Sequence, residues 1–148
     1  MKIKDFELIP HTADLKIRVY GADYHELFAN ALRGMFQAIR PIVSGCAIEQ
    51  DRVVCKELPA RHHIKISSSS YETLLVDFLS EALYLSDVNN EAYLDVLINT
   101  LIATEVDAEL FGIAVQGFEV VEIKAVTYHD LAIRKKNDHM EADIVFDI

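Results

Sequence analysis

The chain has 148 residues, of which 51% are apolar, and its 24 acidic and 14 basic side chains give a formal net charge of −10. This apolar fraction excludes disorder caused by low hydrophobicity, and the acidity disfavours independent nucleic-acid binding, because such affinity rests mainly on Lys and Arg. We expect a single domain over residues 1–148, whose acidic surface suits a basic protein partner or hard cations, with plain solubility as the alternative explanation of the charge.

The lack of predicted targeting signals and the two cysteines together indicate a cytoplasmic protein. Charged residues interrupt every short apolar pair at the N-terminus, so no signal peptide is predicted. No run of about 18 apolar residues occurs, so no membrane span is predicted. Cys46 and Cys55 do not form a closely spaced pair, and we expect two reduced, buried thiols in a cytoplasmic protein.

The first predicted elements are a strand and a helix. Leu15, Ile17 and Val19 alternate with polar residues, which predicts a half-buried strand. The helix is predicted to start at an N-cap in residues 23–26 (DYHE) and to end before Pro41, which disfavours helical backbone in the preceding residue.

The middle of the chain predicts two strands and a second helix. Residues 47–58 and 61–67 look like strands separated by Pro59. Residues 69–72 (SSYE) offer a capping box, and residues 74–83 place apolar side chains on one helical face.

The C-terminal part is strand-like. Residues 94–103 and 106–115 are rich in β-formers, with bulges or turns expected at Gly112 and Gly117, and residues 129–136 and 139–148 flank a short hairpin connection. In the last strand Ile144 and Phe146 are predicted to face the core, with the intervening side chains of residues 143, 145 and 147 on the other face. The predicted fold is α+β, with two amphipathic helices packed as one layer on a mostly antiparallel sheet of roughly seven to nine strands.

Signatures of enzymes are scarce. The sequence has no glycine-rich phosphate loop, no zincin helix and no Gly-x-Ser-x-Gly elbow. His62 and His63 are neighbours in a predicted strand, so their rings point to opposite faces and do not readily share a metal. These motifs therefore favour no particular class of enzyme.

Three segments are unusual, namely residues 11–14 (HTAD), 122–129 (EIKAVTYH) and 142–148 (ADIVFDI). The side chain of Asp147 adjoins the terminal carboxylate of Ile148, and this proximity is unfavourable unless a cation neutralises it. Oxygen donors of this kind select hard cations such as Ca²⁺ or Mg²⁺, and a carboxylate from another strand would add a third donor.

Simpler explanations exist for the same residues. Asp14, Asp143 and Asp147 would then line solvated strand faces. Glu122 and Lys124 would form an exposed ion pair along one strand, which contributes little to stability.

The same three segments resemble the archease family. Residues 11–14 are similar to its N-terminal signature, residues 122–129 to its internal motif, and residues 145–148 to its C-terminus. The resemblance covers essentially the whole chain. One departure is Phe78, where family members often have tryptophan; we expect only a packing adjustment there.

The resemblance implies an activator of the RtcB-type tRNA-splicing ligase, a protein partner that joins RNA ends through a guanylylated histidine. Archeases promote this guanylylation and multiple turnover without catalysing the reaction themselves, and they bind a divalent ion, with calcium as the expected occupant and magnesium or manganese as alternatives. By position, the implied metal ligands are Asp14, Asp147 and the terminal carboxylate of Ile148. The implied contacts to the partner or a nucleotide are His11, Lys124 and His129.

Two other functions remain open from the sequence. One is a stand-alone metal-dependent phosphoester hydrolase that uses Asp14 and Asp147. The other is an RNA-binding or chaperone module, whose RNA affinity would fall steeply with salt.

Overall fold

The computed structural model describes residues 4–9 and 14–148. Within these residues it has two helices, α1 (Tyr24–Ile39) and α2 (Tyr71–Asn89). The strands are β1 (Phe6–Ile9), β2 (Leu15–Gly21), β3 (Pro41–Ile42), β4 (Cys46–Glu49), β5 (Arg52–Cys55), β6 (Ala60–Ser67), β7 (Glu91–Ile102), β8 (Glu105–Ala114), β9 (Gly117–Phe118), β10 (Ala125–Val126), β11 (Ile133–Lys135) and β12 (Met140–Asp147).

The strands pair antiparallel in four groups. The first sheet has five strands in the order β1-β2-β12-β10, with β11 also paired to β12. The second sheet has the order β6-β8-β7, and β3-β9 and β4-β5 form two separate pairs. The predicted α+β class with mostly antiparallel strands is confirmed. The strands are more numerous than predicted because several are only two to four residues long, too short for periodicity to reveal.

Both helices contact both larger sheets. Helix α1 packs against β2 and β7, whereas α2 packs against β6, β7, β8 and β10. The helices also meet each other, where the rings of Phe28 and Phe78 lie 5.7 Å apart. Phe78 is fully buried, so it fills the apolar stripe of α2 as expected.

The helix ends follow local capping rules. The side chain of Asp23 accepts a hydrogen bond from the backbone N–H of Glu26 at 2.9 Å, and α1 ends just before Pro41, as predicted. For α2 the capping box uses Ser70 and Thr73, one residue later than predicted. Thr73 Oγ1 accepts the Ser70 backbone N–H, so its hydroxyl takes the place expected for a glutamate carboxylate.

The predicted continuous strand over residues 47–58 is wrong, because β4 and β5 form a tight hairpin. Gln50 and Asp51 close it with φ of 51° and 63°, a conformation that glycine or asparagine usually signals. The hairpin register places Cys46 opposite Cys55, and the two form a disulfide with a Cα–Cα distance of 4.4 Å. The expectation of two reduced, buried thiols is therefore also wrong, since the hairpin joins cysteines nine residues apart.

The irregularity predicted at Gly112 lies in the second sheet. Gly112 pairs with Tyr93, beside a register shift in β7. A Cβ atom at Gly112 would lie 2.2 Å from the carbonyl oxygen of Ala92, so the strands approach each other too closely for any side chain there.

In the last strand, β12, the two predicted core residues are buried, and a third residue is buried as well. Ile144 and Phe146 are buried in the core. Val145 points the other way yet is only 3% exposed, and its carbonyl oxygen accepts hydrogen bonds from the N–H and hydroxyl of Thr127. The predicted strand over residues 129–136 is limited to β11.

Candidate functional site

The strand register brings the start of β2 and the end of β12 together at one end of the first sheet. Leu15 and Phe146 form the last pair of the β2–β12 ladder, so Asp14 and Asp147 are the next residues on the two strands. Ile148, whose terminal carboxylate was the third predicted ligand, follows Asp147 directly. Two side-chain carboxylates and the terminal carboxylate thus lie at the end of one ladder, which we call the carboxylate end.

Lys124 reaches the same place from β10. Ala125 pairs with Asp147, and the backbone N–H of Lys124 donates a hydrogen bond to the carbonyl oxygen of Asp147 at 2.7 Å. Four of the six predicted site residues, Asp14, Lys124, Asp147 and Ile148, therefore lie on adjacent strand ends. Their separation in the chain gave no direct indication of this arrangement.

The two remaining predicted residues do not join them in the described structure. His129 is exposed in a turn beyond β10, where its Nε2 lies 3.1 Å from a carboxylate oxygen of Asp130. The adjacent Tyr128 donates a hydrogen bond to Asp77 of α2 at 2.6 Å, so this turn is attached to the helix. His11 lies outside the described residues.

The donor set of the carboxylate end consists only of oxygen atoms. The side chain of Asp147 is exposed, while Asp14 is half-buried with one carboxylate oxygen shielded from solvent. Such a set fits a hard divalent cation and not a soft one. Among the described residues no three His, Cys, Asp or Glu side chains cluster as a metal site, so any ion here would depend on the terminal carboxylate and water.

Asp143 has a different role from its neighbour Asp147. It pairs directly with Arg18, whose Nε and Nη2 donate hydrogen bonds of 2.7 and 3.1 Å to the two carboxylate oxygens. Arg134 of β11 adds a third at 3.1 Å. These hydrogen bonds, chiefly that from Arg18, hold the pKa of Asp143 below its usual range. Asp143 therefore joins three strands and does not line a solvated face.

A groove that Lys124 also lines lies between the C-terminal half of α2 on one side and residues 115–118 and 122–126 on the other. We call it the α2 groove. It comprises two adjoining hollows of about 510 and 250 Å³ that share Leu83, Asp87 and Lys124. Partial burial and the negative charge of Glu122 raise the pKa of Asp87.

Sequence reasoning missed Asp87 because its position depends on how α2 packs against β10. The ion pair between Glu122 and Lys124 that the simpler explanation assumed is not formed between these two described residues; Glu122 instead lines the α2 groove close enough to affect Asp87. The segment that carries both residues, 119–124, is not a strand, so the alternation on which that expectation depended does not apply.

The paired histidines are separated as predicted. His62 Nε2 lies 2.7 Å from a carboxylate oxygen of Glu91, and His63 Nε2 lies 2.8 Å from one of Asp107. Each ring has its own acidic partner, Glu91 on β7 for His62 and Asp107 on the adjacent β8 for His63, so the two cannot act as one metal-binding pair. Within the described part of the chain, neither helix combines the length and apolarity needed to cross a membrane.

Sequence comparison gives consistent results over the full length. The model of the Archease protein family matches residues 6–148. The protein archease of Methanosarcina acetivorans is 35% identical over 155 residues, which cover 98% of this chain and 97% of that protein. The protein archease of Methanosarcina barkeri is 33% identical over 153 residues, with the same coverage of 98% and 97%.

Solved structures show the same fold. The solution structure of protein 1598 of Methanobacterium thermoautotrophicum superposes with a TM-score of 0.71 at 25% identity, covering 99% of this chain and 100% of that chain. A crystal structure from Thermotoga maritima, described as an archease and possible chaperone, gives a TM-score of 0.61 at 20% identity, with 100% and 98% coverage. At that identity the second likeness supports the fold alone.

Proposed function

The chain belongs to the archease family, and from that membership we propose that it is a non-catalytic accessory protein that activates an RtcB-type tRNA-splicing ligase. Activation here means promoting guanylylation of the ligase and allowing it multiple turnover. The proposed location is the cytoplasm, where tRNA splicing would require it.

The carboxylate end is the observation that carries this proposal. Asp14, Asp147 and the terminal carboxylate of Ile148 place negative charges on adjacent strand ends, where their mutual repulsion favours binding of a cation. We propose that these residues hold a divalent ion, calcium in the first instance, with magnesium or manganese as alternatives. When bound, such an ion neutralises the carboxylates and supplies an electrophilic centre next to the partner.

Lys124 is the proposed contact to the nucleotide or to the ligase. Its backbone is fixed by the hydrogen bond to Asp147, so its side chain begins at a defined distance from the carboxylates. A lysine ammonium binds phosphate or carboxylate oxygens as a compact charge with three donors. His129, exposed in its turn, and His11 are proposed as secondary contacts.

The direct test is RNA ligation by a purified RtcB-type ligase, held well below the substrate concentration, with and without this protein. We expect product to rise from about one turnover per ligase to many, because the accessory protein would renew the guanylylated state. Unchanged turnover with the ligase of the same organism would refute the proposal. Hydrolysis of a phosphoester by this protein alone would favour the hydrolase, and salt-sensitive RNA binding would favour the RNA-binding module.

Asp147→Ala tests the carboxylate end itself. We expect loss of ligase activation and of calcium binding in calorimetry, with an unchanged circular dichroism spectrum, because the side chain is exposed. Asp51→Ala is the matched control, since that side chain is 97% exposed on the β4–β5 hairpin. Calcium binding that survives Asp147→Ala would contradict the assigned ligands even if activation were lost.

A further inference from the structure

The α2 groove combines acidic and apolar groups in a way that the carboxylate end does not explain. Helix α2 contains four acidic residues, Glu72, Asp77, Glu81 and Asp87, and no lysine or arginine. Of these only Asp87 lines the groove, and Glu122 adds a second carboxylate across it. The helix therefore presents a single sign of charge along its length, which is unusual because mixed charges favour an isolated helix.

Exposed apolar side chains border these carboxylates. Tyr84 lines the groove and is 60% exposed, and Val88, one helical turn later, is 59% exposed. Asp87 and Val88, three and four residues after Tyr84, both neighbour it on the helix surface, but only Asp87 lines the groove with it. An exposed tyrosine beside an aliphatic residue is typical of the anchor positions at protein interfaces.

The chemistry of the groove identifies the kind of ligand. Phosphate groups of RNA would be repelled by Asp87 and Glu122, and a second copy of this acidic chain would meet the same repulsion. A cationic side chain would neutralise Asp87, whose pKa is raised by partial burial and secondarily by the charge of Glu122. The larger hollow, about 510 Å³, has room for a long basic side chain.

We propose that the α2 groove binds a protein segment that carries a lysine or arginine next to an apolar residue. The cation lies between Asp87 and Glu122, and the apolar residue packs against Tyr84 at the edge of the groove. The inference rests on the proposed function, because the segment is taken to belong to the ligase. Lys124 borders both the groove and the carboxylate end, so a segment held here lies beside the proposed metal ligands.

The experiment measures binding to an RtcB-type ligase of the same organism by biolayer interferometry. Asp87→Lys and Tyr84→Ala are each expected to weaken the Kd by about tenfold, the effect of losing one anchoring contact. Asp87→Lys should also slow association at low salt, because it reverses a charge that attracts the partner. The matched controls are Asp51→Lys and Leu97→Ala, an exposed acid and an exposed aliphatic residue on other elements, and both should bind as the unmodified chain does.

The outcomes separate this inference from the proposed function. If the unmodified chain activates the ligase but Asp87→Lys and Tyr84→Ala bind it normally, the groove assignment is wrong and the proposed function stands. If the unmodified chain neither binds nor activates the ligase, both the groove assignment and the proposed function are refuted. A dimer of the unmodified chain in gel filtration, abolished by Tyr84→Ala, would identify a second copy as the occupant and overturn the assignment to a basic segment.

Discussion

Asp143 is the residue whose replacement most directly tests how the first sheet is held together. Its side chain is 13% exposed and accepts two hydrogen bonds from Arg18 and one from Arg134, while the ammonium of Lys16 lies 3.9 Å away. Asp143→Asn preserves the shape of the side chain but removes its charge. Both guanidinium groups then lose a charged acceptor at a site with little access to water.

The expected loss of unfolding free energy is about 2 kcal/mol, because hydrogen bonds to charged groups contribute roughly 1.5–3 kcal/mol and both arginines keep some solvent contact. For a domain of this size that loss lowers Tm by roughly 4–8 °C. The measurement is urea unfolding followed by circular dichroism, with calorimetry for Tm. Asp51→Asn is the control, since its ion pair with Arg40 at 3.9 Å is solvent-exposed and should change stability by less than about 0.5 kcal/mol.

The effect of Asp143 should depend on pH in a defined direction. Because the folded state lowers the pKa of Asp143, the unfolded chain takes up a proton more readily on acidification. The contribution to stability is therefore complete above the unfolded pKa of about 3.9 and is lost as the pH falls through the folded value. The stability difference between the unmodified chain and Asp143→Asn should shrink below pH 4. If Asp143→Asn lowers the unfolding free energy at neutral pH by no more than Asp51→Asn does, the stabilising role of the hydrogen bonds to Asp143 is refuted.

Three further predictions concern local structure. Ser70→Ala should cost about 1 kcal/mol in urea unfolding by removing the N-cap of α2, whereas Ser69→Ala should be nearly neutral; equal losses would contradict the capping assignment. Gly112→Ala should cost about 1–3 kcal/mol, because its methyl group would collide with the backbone of β7; unchanged stability would exclude that close approach. Reducing the Cys46–Cys55 disulfide should lower the unfolding free energy by roughly 2–3 kcal/mol, as expected for a loop of about ten residues, and Cys55→Ser should be insensitive to reductant.

Local signals made much of the fold predictable. The alternation of Leu15, Ile17 and Val19 identified β2, and Asp23 with Pro41 bounded α1, because these signals act within a few residues. The β4–β5 hairpin was not predictable in the same way. Its turn residues, Gln50 and Asp51, adopt left-handed backbone without the glycine or asparagine that usually marks such a turn.

One packing contact explains how the hairpin is held. The side-chain amide of Gln37 on α1 donates to the carbonyl oxygen of Val53 and its side-chain oxygen accepts the N–H of Val53, both at 2.9 Å. This pair of hydrogen bonds attaches β5 to the helix, and it joins residues 16 positions apart. A pattern read along the sequence contains no information about such a contact, so the disulfide that depends on the hairpin was also missed.

The carboxylate end was only partly predictable. The proximity of Asp147 to the terminal carboxylate is a property of the sequence itself, and the repulsion between the two suggested a cation. The position of Asp14 beside Asp147 is not a property of the local sequence. It follows from the register of β2 against β12, two strands that are far apart in the sequence. Only the family resemblance connected Asp14 with Asp147 before the register was known.

The register also explains why two separate surfaces can meet at Lys124. β12, which carries Asp147, is a central strand with β2 on one side and β10 on the other, so Asp14 comes from the β2 side and Lys124 from the β10 side. Helix α2 packs against β10, which places Asp87 beside Lys124 but leaves Asp147 outside the α2 groove. Because the groove and the carboxylate end share only this boundary residue, replacing Asp87 should impair partner binding, whereas replacing Asp147 should impair activation of a partner that still binds. This separation is expected when one part of an accessory protein holds its target and an adjacent part acts on the reaction.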